Sequence, residues 1–499
     1  MNINKRIDDF TVVVNAGTSL SDNSSDLLGY GGPIRDTGVP NVFNVFDLDN
    51  ARKRATQEGW EEMTQSIFAS AEIGWKSMLY LTLTGRNDWA SQLKGSNPTS
   101  FFYPSVGLSA VISEMVTLPK AIDYLKVRGS FSSVGTPYPR FLVQPTYSYD
   151  PTKQDWNAKT HYPIGKLKPE RTDSWEIGVD GTFFKDFKVS GSFYYANTYN
   201  QTFDPKITVS SGYSTLYVQT GYVRNLGVEG LLSYGHTWRD FGWNSNFTFS
   251  WNKNKIVELV KDYVHPETGE IVNKDRLELK GLGYTKFILK EGGTLGDLYT
   301  NADFIRDDKG YIQIDKNGDV AKTDNLPDIK LGSVFPKANL AWNNSFSYKG
   351  IYAGFQLSAR LGGIVYSATQ AALDQYGVSE ASAAARDRGG VLVNGRSWVN
   401  AQQYYEIVAT SSGLPQYYTY SATNLRLQEA HIGYTIPRKW LGNICDINVS
   451  VVGRNLWMIY CKAPFDPEAI ATTNNFYQGI DYFMMPSTRN FGFNVKINF

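Results

Sequence analysis

The 499-residue chain has two cysteines and four histidines, too few for a disulfide framework or a histidine-rich metal centre. No apolar run approaches the roughly 18 residues that a membrane-crossing helix needs, and mean hydropathy is −0.33, so helical spans are excluded. Charge of one sign is missing too. The 49 Lys and Arg residues nearly cancel 48 Asp and Glu for a net +1, which gives no case for nucleic acid as a partner. The catalytic signatures His-Glu-x-x-His, Cys-x-x-Cys and Gly-x-Ser-x-Gly are absent, and His161, His236, His265 and His431 show no metal-ligand spacing. Asp315-Lys316-Asn317-Gly318-Asp319 starts like a calcium loop. Its sixth position is Val320 where Gly is needed and its twelfth is Leu326 where Glu is needed, so a plain Asn-Gly turn is expected. Some barrel hydrolases carry Ser and His on a strand rim; otherwise the expectation is a non-enzyme without cofactor or metal.

What the chain does have is alternation. In the last nine residues every odd position is apolar (Phe491, Phe493, Val495, Ile497, Phe499), while the even positions are Gly, Asn, Lys and Asn. As a strand, this segment has one greasy face and one wet face, which suits a wall between lipid and water. The same period recurs in Phe10 to Ala16 and in Ile67 to Trp75 followed by Leu79 to Leu83. It returns in Trp175 to Phe183 with Val189 to Tyr195, in Val228 to Tyr234 with Trp243 to Trp251, and in Leu340 to Tyr348 with Phe355 to Leu361. The opposite faces carry Lys126, Arg128, Glu176, Asp180, Asn244, Asn246, Gln356 and Arg360, which are costly in lipid and ordinary in a water-filled lumen.

Tight turns (Lys76-Ser77, Lys185-Asp186, Arg239-Asp240, Lys349-Gly350) fall at one end of the strands. Long segments fall at the other: 19–60, 135–168, 261–336, 366–421 and 460–488. Aromatics are 14% of the chain, and Trp75, Phe183, Phe184, Trp238, Phe241, Trp243, Tyr348, Tyr352 and Trp440 lie beside the tight turns, as an interfacial girdle would. The expected fold is therefore all-β: a transmembrane antiparallel β-barrel in an outer membrane, with lipid as its first partner and tight turns periplasmic. A soluble propeller or sandwich array would need a short internal repeat, and none is present.

Counting directions gives 14 or 16 strands in this chain, because 261–336 must hold zero or an even number. A phase slip at Gln428-Glu429 predicts a bulge. Cys445 and Cys461 flank a spanning strand, and 16 residues at ~3.3 Å each, tilted by ~40°, set them roughly 40 Å apart. A disulfide needs ~4.4–6.8 Å between Cα atoms, so two free thiols are expected. The segment Met1 to Asp9 has no apolar signal region. A secreted protein must have had one, so either it was removed or this chain is the C-terminal piece of a longer protein, the reading favoured by Met1 running almost directly into a strand.

Several segments carry a family resemblance. They are Leu167-Lys168-Pro169-Glu170-Arg171-Thr172 leading into Ser174-Trp175-Glu176-Ile177-Gly178, and Asn225-Leu226-Gly227-Val228-Glu229-Gly230. Further on come Asn424-Leu425-Arg426-Leu427 through Gly433-Tyr434-Thr435-Ile436-Pro437, then Gly453-Arg454-Asn455-Leu456, Phe465-Asp466-Pro467-Glu468 and Pro486-Ser487-Thr488-Arg489. Together, over about residues 60–499, the chain resembles the C-terminal half of SusC/RagA-type TonB-dependent transporters of Bacteroidetes. The resemblance implies a 22-stranded barrel whose plug and TonB-binding segment are not in this chain. It implies an N-terminal barrel/plug half, a SusD-like surface lipoprotein over the extracellular mouth, and import of oligosaccharides or peptides powered by the TonB-ExbB-ExbD complex. The alternatives are a complete 14- or 16-stranded passive porin, and an adhesin or structural barrel.

Among loop residues, Tyr404, Tyr405, Tyr417, Tyr418 and Tyr420 are candidates to stack on sugar rings or peptide side chains, against packing as the ordinary role of such rings. Arg128, Asp180 and Arg360 either line the passage or belong to a solvated wall. Phe491, Phe493 and Phe499 mark the terminal strand on which barrel assembly is expected to depend.

Overall fold

A computed structural model of the chain describes all residues except 38, 40, 96–98, 137–139, 143–146, 151–154, 158–168, 204–217, 265–268, 270, 474–477 and 499. His161, His265, Leu167, Lys168 and Phe499 thus lie outside the described residues.

One antiparallel sheet of fifteen strands, each paired with its sequence neighbour in the sheet, makes up the wall. Its strands are β1 (Asn2–Ile7), β2 (Phe10–Gly31), β3 (Arg54–Trp75), β4 (Leu79–Ala90), β5 (Ser100–Val111), β6 (Ile122–Thr136), β7 (Glu170–Phe183) and β8 (Phe187–Phe203). They continue as β9 (Val218–Trp238), β10 (Phe241–Glu258), β11 (Ala338–Tyr348), β12 (Ile351–Leu361), β13 (Asn424–Ile436), β14 (Asp446–Cys461) and β15 (Asn490–Asn498). Among the described residues no helix is long and apolar enough to cross a membrane.

Two expectations are corrected by this sheet. Among the described residues the wall has fourteen strands from Phe10 onward, with none contributed by 261–336. The fifteenth is β1, which folds back on β2 through the tight turn Asp8-Asp9 and pairs from Ile7↔Phe10 to Asn2↔Asn15, with Asp8 at φ +49°. The porin alternative required the Phe10 strand to pair with the Phe491 strand. Instead β2 lies between β1 and β3, and β1 and β15 each have one partner, so the described residues leave an open sheet with two free edges.

A third correction concerns 19–60. Strands β2 and β3 stay in register through all 22 of their residues, from Phe10↔Trp75 up to Gly31↔Arg54, so the connection itself shrinks to 32–53. Backbone ladder bonds do not depend on side-chain polarity, so a hairpin continues into water after apolar alternation has ceased.

The alternation itself sets which face meets lipid. In β7, Trp175 and Ile177 are 59% and 64% exposed on the outer face, while Glu176 and Asp180 hold Arg128 of β6 on the inner one. The girdle forms a continuous belt across β8 to β12. Ring centroids lie 4.6 Å apart for Phe187 and Tyr234, 5.1 Å for Tyr234 and Trp243, 6.4 Å for Trp243 and Phe346, and 6.4 Å for Phe346 and Phe355. Lys76 and Lys349 lie over the rings of Trp75 and Tyr348 at the tight turns, where an aromatic body with a cationic neighbour suits the headgroup level.

The densest apolar packing is outside the wall. The main core cluster joins Phe287, Leu298, Phe304 and Val334 of one long connection to Tyr366, Val399, Val408, Leu414 and Tyr418 of a second and Ile480 of a third. A three-stranded sheet unites the last two, with Ile364–Ser367 between Thr419–Ser421 and Ile480–Asp481. These three connections therefore fold as one loop domain over one end of the wall. Both cysteines are free thiols. The expected bulge is present: Leu427 faces Trp457 and Glu429 faces Arg454, with Gln428 skipped.

Candidate functional site: the lumenal wall and its loop domain

The segments quoted for the family resemblance resolve into packing devices. On β7, Arg128 lies across Gly178, where an added Cβ would be 2.6 Å from the guanidinium carbon, and reaches Asp180 at 2.6 Å and Glu176 at 3.3 Å. Gly178 is what gives the arginine its bed. Gly227 of β9 does the same for Tyr194, whose ring atoms would approach an added Cβ to 2.3 Å. Asn225 accepts from Asn252 and Asn254 of β10, continuing the polar lumenal face.

Four other segments converge on Arg426, near the start of β13. Its guanidinium donates to both oxygens of Asp466, at 2.7 and 3.1 Å, and to Asn455 Oδ1 at 3.4 Å, and it lies 3.2 Å from Glu468. Asn455 holds a left-handed conformation at φ +53°, which asparagine tolerates, and its Nδ2 donates to the Thr488 carbonyl. Asn424 donates to Glu468. Asn-Leu-Arg-Leu, Gly-Arg-Asn-Leu, Phe-Asp-Pro-Glu and Pro-Ser-Thr-Arg thus form one clamp tying the last long connection to the wall. Burial works against the Asp466 charge, but the bonds from Arg426, the Glu468 N–H and Ser487 outweigh it and hold this carboxyl below its ordinary range.

The candidate residues occupy different settings. Tyr418 is 4% exposed, and its hydroxyl donates to Asp374 at 2.9 Å, so it packs rather than presents a stacking face. Tyr404 packs against the main core and stacks edge-on with Tyr405 at 5.4 Å. Tyr417 keeps an exposed flank while meeting Phe304 edge-on at 5.3 Å, and Tyr420 meets Phe465 at 5.6 Å. Burial, followed by the charges of its neighbours, pushes the Tyr404 phenol up to about 12; Tyr420 is raised to about 12 by burial and Asp374. Tyr418 is raised further, by burial first and then by the Asp374 carboxylate.

Arg360 is half-buried and donates through Nη2 to the Val334 carbonyl at 2.9 Å, pinning the end of 261–336 to β12. Phe491 and Phe493 stand on the exposed outer face of β15. In the Asp315 loop, one carboxylate oxygen accepts from the N–H groups of Asn317 and Asp319, and Gly318 sits at φ +87°. Asp307 to Tyr311 repeats that geometry with Gly310 at φ +82°. Both are turns closed by their own aspartate. Among the described residues no three His, Cys, Asp or Glu side chains group as metal ligands.

A family model described as TonB dependent receptor-like, beta-barrel, matches residues 3–456. The chain belongs to this family. TonB-dependent receptor P3 of Formosa agariphila is 24% identical over 463 residues, covering 86% of this chain and 45% of that protein. TonB-dependent receptor SusC of Bacteroides thetaiotaomicron is 24% identical over 246 residues, covering 44% of this chain and 24% of SusC. In fold, the chain matches the structure described as the RagAB peptide transporter with a TM-score of 0.75 at 17% identity, covering all of this chain and 54% of that one. The chain spans about half the length of these full-length relatives or less. The expected SusC/RagA-type barrel of the outer membrane is therefore met, in a family of receptors and transporters rather than of enzymes.

The Arg426 clamp was not assigned a role from sequence. A signal was present: Arg426 stands on the lumenal face two residues into a strand, and an Asp-Pro-Glu follows in the next long connection.

Proposed function

We propose that this chain forms the C-terminal wall and extracellular loops of a TonB-dependent importer of oligosaccharides or peptides. The observation that carries the reading is the pair of free edges on a fifteen-stranded sheet whose family relatives are about twice as long. An exposed ladder edge cannot face lipid, so β1 and β15 require strands from an N-terminal barrel/plug half. A barrel wide enough to take these strands leaks if empty, and the plug supplied by that half closes it. On this reading the chain performs no bond chemistry. It provides a polar lumenal face along which solute moves, a loop domain that meets it first, and a platform for a SusD-like lipoprotein lid. The TonB-ExbB-ExbD complex works on the plug half.

Uptake of labelled oligosaccharides and of labelled short peptides, measured in cells with and without this chain and with and without TonB, tests the reading. Uptake of one class that needs both the chain and TonB is the expected result; uptake that persists without TonB would refute active import.

A further inference from the structure

Between β12 and β13 the loop domain carries three helices of eight residues each: α1 (Ala368–Gln375), α2 (Glu380–Asp387) and α3 (Ala401–Val408). Each is fixed by a side-chain cap, from Ser367, Ser379 and Asn400 respectively. Between them lies a cavity of ≈360 Å³, lined among others by Asp374, Ser382, Arg386, Gln402, Tyr405 and Glu406. That is within the size range of small-molecule sites.

Among the described residues neither of its acids forms an ion pair. Asp374 is 7% exposed, and the side-chain donors to its two oxygens there are neutral, Gln370 Nε2 at 3.1 Å and Tyr418 Oη at 2.9 Å. Glu406 accepts from Gln402 Nε2 at 2.7 Å. Arg386, the cation in the lining, donates to the Gly377 carbonyl at 2.6 Å instead of pairing with either acid. A carboxylate this deeply buried is costly without an opposite charge, while each of its oxygens retains a free lone pair.

We propose that this cavity binds a primary ammonium group of a small ligand, with Asp374 as counter-ion, Glu406 as second acceptor and the Tyr405 ring flanking the attached chain. Three alternatives fit less well. A guanidinium wants side-on access to both oxygens of one carboxylate, and Gln370 and Tyr418 already occupy one approach to each oxygen of Asp374. A hard divalent cation is held by several acidic ligands at once, whereas the lining has two carboxylates beside the Arg386 cation, and among the described residues no three His, Cys, Asp or Glu side chains group as metal ligands. An uncharged ligand would leave Asp374 uncompensated. A compact ammonium with three donors matches the spare lone pairs. The inference holds whether or not the bound ligand is what the protein imports, because its test is equilibrium binding.

Binding to the intact protein in detergent, by calorimetry, would use glucosamine and the tripeptide Ala-Lys-Ala with a blocked amino terminus as probes, each beside its N-acetylated form. One or both free amines are expected to bind and the acetylated forms not, and which one binds separates an amino sugar from a peptide amine as the source. Asp374→Asn is expected to weaken binding about tenfold or more, as loss of a charged hydrogen-bond partner does. Glu406→Gln, in an exposed position, is expected to weaken it several-fold without disturbing the helices, and so remains informative if D374N fails to fold. Equal binding of amine and acetylated probes, no binding of either amine, or wild-type affinity in both variants would overturn the proposal.

Discussion

Replacing Arg426 by Leu removes the cation from a site where Asp466 is buried. Side-chain exposure is 6% for the arginine and 10% for Asp466, against 42% for Glu468, so the acid that loses its partner in a dry setting is Asp466. Removing one member of a buried pair typically costs about 3–5 kcal/mol, because the remaining charge is left uncompensated. The cost falls on local opening of 462–489, since Asp466, Glu468 and Thr488 are what the clamp holds. At about 1.4 kcal/mol per factor of ten, opening becomes roughly a hundred to several thousand times more frequent. Limited proteolysis or hydrogen exchange of that connection in outer-membrane vesicles reads this directly, with the girdle strands as an internal reference. R426L/D466L removes both charges and is expected to recover most of the loss, since an apolar pair avoids the desolvation penalty. Unchanged protection in R426L, or a double variant no better than the single one, would refute the reasoning.

On β8, Ser192→Lys faces the lumen and is expected to assemble normally, whereas Phe193→Lys faces lipid and is expected to cost up to about 2–4 kcal/mol near the midplane; heat-modified mobility on gels compares the two. Gly413→Ala would set a Cβ 2.1 Å from the Val408 carbonyl oxygen at the end of α3, so the loop domain should lose about 1–3 kcal/mol, seen as faster proteolysis of 401–421. The raised phenols of Tyr404 and Tyr420 keep their protons in the folded loop. Their contribution to stability is intact below about pH 10, the ordinary tyrosine value, and is lost as pH rises toward 12. Ultraviolet titration should therefore show tyrosinate appearing together with loop unfolding, and independent titration of these residues near pH 10 would contradict the burial.

The wall was legible because its code is local. A two-residue period, repeated with tight turns at one end, is written in Trp175 to Phe183 or Phe491 to Phe499 without reference to any distant residue. Where one side of the strand stops meeting lipid the code ends, which is why the upper parts of β2 and β3 read as loop although their ladder continues. The strand Asn2–Ile7 has too few apolar residues to announce itself and is made a strand by pairing with β2. The loop domain was not legible, because its core takes Phe287, Tyr418 and Ile480 from three connections with no shared periodicity. For the same reason the loop tyrosines were identifiable as a group but not divisible into buried Tyr418 and partly exposed Tyr417. The motif residues of the Arg426 clamp were visible, yet only folding brings positions 424, 426, 455, 466 and 488 together.

The central claim is that β1 and β15 are edges completed by strands from outside this sequence. Native mass spectrometry of the complex that carries this sequence, extracted gently from outer membranes, tests it most directly. The account predicts that the sequence is found together with a plug and further wall strands, in one polypeptide or two. Recovery of this 499-residue chain alone as a stable, conducting pore would contradict it.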